Sequence, residues 1–240
     1  MAEAVAWPET RAASGRSKGR DLAEIAIVYS LILAVIWTPR PWQRYLWVAA
    51  AAGVLIVTAI SRDGLGAMGL RMANFRRSLW IAGAALLLAG GAVLAALHLH
   101  TLRLPHGILA FIEAYCAYAV WSGVQQFLLQ GVFLLRLLRL IPNPGLAALT
   151  AAALFSSAHL PSPILAPVTL IWGFAACLLF LHYRNLYPLA LAHAILGIAV
   201  AVTVPGPVDH NMRVGLGYLT YGHHRRWDRA FPPPPLSPKP

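Results

Sequence analysis

Seven apolar runs, divided by short polar or proline-rich connections, occupy most of the chain. They cover residues 22–38, 45–60, 79–99, 109–140, 145–160, 164–182 and 186–204. Runs of this length without strict alternation predict helices that cross a bilayer. The predicted fold class is therefore all-α: a polytopic transmembrane helix bundle of about seven spans. A polar segment, 1–21, precedes the helical domain at 22–204. A polar tail, 205–240, follows it and ends in FPPPPLSPKP, a composition that predicts disorder after a brief ordered section.

Several local features refine this layout. The fourth run is longer than one bilayer needs, and Ser122-Gly123 is its expected weak point. Pro142 and Pro144 end it. Gly90 and Gly91 would let another helix approach the third run closely. The connection 61–78 carries Arg62, Arg71, Arg76 and Arg77 with Leu70, Met72 and Phe75, the make-up of a short amphipathic piece at the membrane interface.

Composition supports the membrane reading. Of 240 residues, 59% are hydrophobic and 11% charged, and mean hydropathy is +0.64. A formal charge of +11 raises the question of nucleic acid. The arginines, however, sit in short connections between apolar runs, where anionic lipid and topology account for them, so no nucleic-acid partner is expected. With the N-terminus in the cytoplasm, cytoplasmic segments hold Arg11, Arg16, Lys18, Arg20, the four arginines of 62–77, Arg136, Arg139 and Arg184; the opposite side holds Arg40, Arg44 and Arg103. That asymmetry favours a cytoplasmic N-terminus, although the basic tail runs against it. The excess of Arg over Lys and the abundance of Ala suggest a GC-rich bacterial genome and the inner membrane. Cys116 and Cys177 both lie inside apolar runs and read as buried packing residues rather than a disulfide framework.

The chemistry rests on polar groups where hydrocarbon should be. Gln125, Gln126 and Gln130 share one flank of the fourth run at about 100° per residue. An unpaired amide in hydrocarbon costs roughly 4–8 kcal/mol, so this flank should face other helices or a wet cavity. His159 in LFSSAHL and His193 in LALAHAILG add two imidazoles from other runs. A count along parallel spans puts Gln125 about 6 Å and His193 about 10 Å from the same bilayer face, but His159 about 20 Å from it. Glu113 reads as the one acid well inside a run, and an interfacial pairing with a loop His or Arg suits it best. Asp209 and His210 could fold over a cavity mouth. No third ligand accompanies the histidines at metal-site spacing, so neither a metal nor another cofactor is expected.

These motifs resemble the CPBP family of intramembrane endopeptidases, which includes type II CAAX prenyl proteases and bacteriocin self-immunity proteins. In that family one span carries Glu-Glu-x-x-x-Arg, a later one Phe-x-x-x-His and a third His-x-x-x-Asn. This chain has Gln125-Gln126-x-x-x-Gln130, Phe155-x-x-x-His159 and His193-x-x-x-Gly197 in the same order, with Gly-Leu-Arg at 69–71 ahead of the third run. The resemblance covers roughly 70–204. It implies that Gln125 holds the general-base position and that Gln126 and Gln130 hold those of the second glutamate and the arginine. It further implies that His159 assists the water and His193 faces the oxyanion, with Phe155 and Gly197 lining the cavity. A carboxamide cannot take a proton from water, and losing a general base commonly costs roughly 10²–10⁴ in rate. Losing an oxyanion donor costs about another 10²–10³. Peptide-bond hydrolysis on a membrane-embedded or lipidated peptide is thus the activity implied, weakened or lost. The alternative is a non-catalytic membrane protein that binds a peptide or lipid in the same cavity.

Overall fold

A computed structural model describes residues 17–61, 63–105 and 107–221. Most of the polar segment 1–21 and the proline-rich end of the tail, as well as Arg62, lie outside the described residues. The described chain is all-helical. Its long helices are α1 (Lys18–Trp37), α2 (Gln43–Ser61), α4 (Trp80–His98), α5 (Ile108–Gln126), α7 (Pro144–Ser157), α8 (Leu165–Tyr183) and α9 (Tyr187–Thr203). A one-turn helix, α3 (Phe75–Ser78), leads into α4. A π-helical stretch (Phe127–Leu134) and α6 (Leu135–Leu140) prolong α5, and α10 (Gly206–Asp209) and α11 (Gly215–Leu219) follow α9. Four of these helical stretches, Gln43–Ser61, Phe75–His98, Ile108–Leu140 and Leu165–Tyr183, are long and apolar enough to cross a bilayer; α7 and α9 are shorter apolar helices. Their outward faces are rich in exposed leucine, such as Leu86, Leu87 and Leu88 on α4. The chain is an integral membrane protein of apolar helices.

Local chemistry sets the helix ends. Ser17 caps α1 by accepting from the Arg20 amide, and Asn143 caps α7 by accepting from the Leu146 amide at 3.0 Å, with Pro144 in the first turn where its missing N–H is harmless. The core is built on small residues: Ala147, Ala148, Ala151 and Ala152 of α7 are fully buried and press on α8 around Gly173, Ala176 and Cys177. The other main pairings are α4 and α5 on α9, and α1 on α2.

Three expectations meet different outcomes here. Gly90 and Gly91 face open space, and the buried residues of α4, which packs on α9, are Ile81, Ala82, Ala85 and Ala96. Cys177 is buried, whereas Cys116 is exposed on the outer side of α5. The long helix passes through Ser122-Gly123 unbroken, with the Ser122 hydroxyl donating to the Tyr118 carbonyl at 2.9 Å. It deforms one turn later, in the π-helical stretch.

That deformation lies beside a buried ionic belt that the hydropathy pattern hides. Arg136 is fully buried; its Nε–H donates to Glu24 Oε2 at 2.8 Å, and its Nη1 donates to the Val132 carbonyl at 2.9 Å and, more weakly, to that of Gly131. Those carbonyls belong to the π-helical stretch, where the α-helical ladder no longer takes them. Glu24 also pairs with Arg20 at 2.9 Å, and Arg139 grips Asp21 at 2.8 and 3.0 Å and Asp63 at 3.2 Å. Asp21 and Glu24 of α1, rather than Glu113, are therefore the buried acids of this region, and Arg136 and Arg139 serve packing rather than simply marking a membrane face. Glu113 itself is exposed and makes no ion pair among the described residues.

The 63–74 connection is tied to the α8–α9 turn. Gly69, at φ +82°, carries no Cβ because one would run into the Phe180 ring, and its carbonyl accepts from the Leu186 amide at 3.0 Å. Arg71 Nε–H donates to the Arg184 carbonyl, and Asn185 Nδ2 donates to the carbonyls of Arg71 and Ala73. Burial lowers the Arg184 guanidinium below its ordinary range, and the neighbouring Arg71 charge adds to this.

Candidate functional site

The π-helical stretch lies directly beside the polar residues. Gln126 is the last residue of α5 and Gln130 the fourth of the π segment, and both are fully buried. Gln130 Nε2–H donates to Gln126 Oε1 at 2.7 Å, and Gln126 Nε2 meets His193 Nδ1 at 2.8 Å. With the amides in this order, Nδ1 accepts from Gln126 and the ring proton sits on Nε2. Gln130 Oε1 is buried without a partner among the described residues. Gln125 projects to the other side, half-buried on a cavity wall, and its side chain makes no hydrogen bond among the described residues.

His159 comes from the turn after α7. Its Nδ1–H donates to the Phe155 carbonyl at 2.8 Å, which leaves Nε2 with the lone pair. Phe155 stands edge-on to both imidazoles, with ring centres 4.8 Å from His159 and 5.8 Å from His193. Trp172 of α8 closes another side of His193 at 6.2 Å. The simple depth count separates His159 from the other two, yet all three border one cavity. That count assumes parallel helices beginning at the bilayer face; α7 has 14 residues and the chain turns at 158–164 instead of continuing.

The cavity measures about 1230 Å³ and is lined mostly by apolar side chains of α1, α2, α5, α7, α8 and α9. Gln125, His159, His193, Phe155 and Gly197 all border it. No carboxylate does among the described residues, and Arg40 and Arg213 are the arginines on its wall. Among the described residues no three His, Cys, Asp or Glu side chains gather as a metal site would require.

Two contributors were invisible to motif reading. Tyr118 of α5 enters the notch left by Gly197: a Cβ at 197 would overlap the phenol oxygen and lie 2.5 Å from Cζ and 2.7 Å from Cε1. The second is the segment after α9. Asn211, Met212, Arg213, Val214, Leu216, Gly217 and Thr220 form part of the cavity lining. Arg103 anchors on the end of α9, its backbone N–H donating to the Val202 carbonyl and its guanidinium to the carbonyls of Ala201 and Val204, and it reaches the strap through a longer bond to Asn211 Oδ1 at 3.5 Å. The Gly215 amide donates to the Leu160 carbonyl at 2.8 Å, pinning the strap to the turn that carries His159. Asp209 and His210 are not themselves lining residues. His210 stacks on Tyr218 and Tyr221 with centroids 3.9 and 4.7 Å away, while buried Asp209 accepts from the Asn211 amide at 2.9 Å. Burial raises the Asp209 carboxyl above its ordinary range, against the pull of that amide and of the Arg103 charge.

Residues 115–199, which contain all three polar motifs, match a family model described as type II CAAX prenyl endopeptidase Rce1-like. Over that stretch the chain is similar to CAAX-type proteases. No curated protein and no solved structure matches it. The match runs from Tyr115 on α5 to Ala199 on α9 and leaves α1, α2, α4 and the strap outside. The helices holding the ionic belt's acids and the cavity's closing segment therefore lie beyond the matched core.

Proposed function

We propose that the cavity receives a membrane-embedded or lipidated peptide, as in a CAAX-type protease, and that its catalysis is weakened or lost because glutamine stands in the general-base position. The observation that carries this reading is the neutral chain Gln130–Gln126–His193, hydrogen-bonded from one residue to the next beside a large apolar cavity. Its charge-free order supports a retained ligand cavity, because a buried lone carboxylate or guanidinium would be far costlier than these amides. In this reading His159 Nε2 is the proton acceptor left near Gln125, and His193 Nε2–H is the donor toward a peptide carbonyl oxygen. Gln125 orients water and takes no proton. The wholly non-catalytic version, a binder of peptide or lipid, draws support from the lack of a carboxylate among the described residues of the cavity wall.

The test uses the full chain in liposomes with a prenylated CAAX-type reporter peptide. Gln125→Glu, alone or with Gln126→Glu, should cleave the reporter about 10²-fold or more faster than wild type. Cleavage by wild type that His159→Ala abolishes would show an enzyme running on the histidine. If no variant cleaves and a specific peptide or lipid co-purifies with the protein, the binding version holds. Neither cleavage nor a bound ligand would refute both.

A further inference from the structure

We infer that Tyr118 supplies the hydrogen-bond donor that Gly197 lacks, its hydroxyl meeting the carbonyl oxygen of a peptide held beside His193. The inference rests on the reading of the cavity as a peptide site and goes beyond it by adding a residue that no motif contains. Gly197 follows His193 by one helical turn, so a side chain at 197 would project from the same face of α9 as the imidazole. Glycine leaves that place vacant on its own helix. Tyr118 fills it from the neighbouring one: the phenol oxygen occupies the very space of a Cβ at 197.

The fit is mutual. Any residue larger than glycine at 197 would expel the phenol, and without the phenol the notch would simply enlarge the cavity. Tyr118 also precedes Gln125 by seven residues, two turns along the same face of α5, and both residues border the cavity. A phenol donates one rotatable O–H, unlike the phenylalanine that apolar packing alone would accept. Two donors thus border the same cavity, His193 Nε2–H and Tyr118 Oη–H, supplied by two helices packed against each other.

The experiment places the full chain in nanodiscs with a prenylated CAAX-type peptide whose central carbonyl carries ¹³C, and records the carbonyl stretch of the bound probe. Wild type should bind the peptide and lower the stretch relative to the free peptide. Tyr118→Phe, which keeps the ring in the notch, should raise the stretch and weaken binding about 3- to 10-fold, the range for one lost hydrogen bond. The paired variant Tyr118→Ala with Gly197→Asn, where an amide occupies the cleared space, should recover the lower stretch. An unchanged band and affinity in Tyr118→Phe would overturn the proposal while leaving the peptide site intact. No binding by wild type would overturn the peptide site, and the proposal with it.

Discussion

Glu24→Gln is the substitution that most directly probes how the polar centre is held. The carboxylate pairs with Arg136, whose guanidinium is fully buried, and Arg136 in turn holds the carbonyls of Val132 and Gly131 in the π-helical stretch. Removing one partner of a buried pair costs about 3–5 kcal/mol, because the other charge is left uncompensated. The carbonyl bonds to Nη1 survive, and each hydrogen bond to a charged group is worth roughly 1.5–3 kcal/mol, so a net loss near the lower bound, about 3 kcal/mol, is expected. For a chain of this size, 1 kcal/mol moves Tm by about 2–4 °C, which gives a drop of roughly 6–12 °C. Tryptophan fluorescence during thermal unfolding in nanodiscs reads this directly. Replacing both residues, Glu24→Met with Arg136→Met, should recover more than half of the loss, since an apolar pair leaves no buried charge. The double variant also reaches the site: without the Arg136 guanidinium the π-segment carbonyls lose their donor, and Gln130 should loosen from Gln126. The ¹⁵N shift of His193 Nδ1 should then move as its amide donor is lost. A Tm within 2 °C of wild type for Glu24→Gln would refute the idea that this belt braces the helix.

Two further outcomes follow from the cavity wall and its strap. Gly197→Ala should cost about 1–3 kcal/mol through overpacking against Tyr118, and Tyr118→Ala should relieve that cost in the double variant; additive losses in a melting series would exclude the close fit. The Asp209 carboxyl binds its proton more tightly in the closed strap than in an open one, so closure is favoured most below the ordinary carboxylate value and is lost as pH rises through the raised one. A nitroxide at Leu219→Cys, in a Cys116→Ala background, should become more mobile as pH rises from about 4 to 7, and Asp209→Asn should flatten the profile. Equal mobility across that range would rule the switch out.

Hydropathy alone determined the helical class and the placement of the long helices, because each run must satisfy its backbone internally before it can sit in lipid. It also singled out Gln125, Gln126, Gln130, His159 and His193, since polar groups in apolar runs require partners wherever the chain leads. The identity of those partners was a matter for the tertiary structure. Gln126 bonds His193 across 67 residues of chain, and Glu24 pairs with Arg136 across 112, separations that no local periodicity encodes. Asp21 and Glu24 look in sequence like the polar start of a span, and Tyr118 like one more aromatic facing lipid. Only the packing of α1 against α6 and of α5 against α9 decides that the acids are buried and that the phenol fills the space beside a glycine. Burial and adjacency belong to the assembled helices, and a linear pattern carries the demand for a partner without its address.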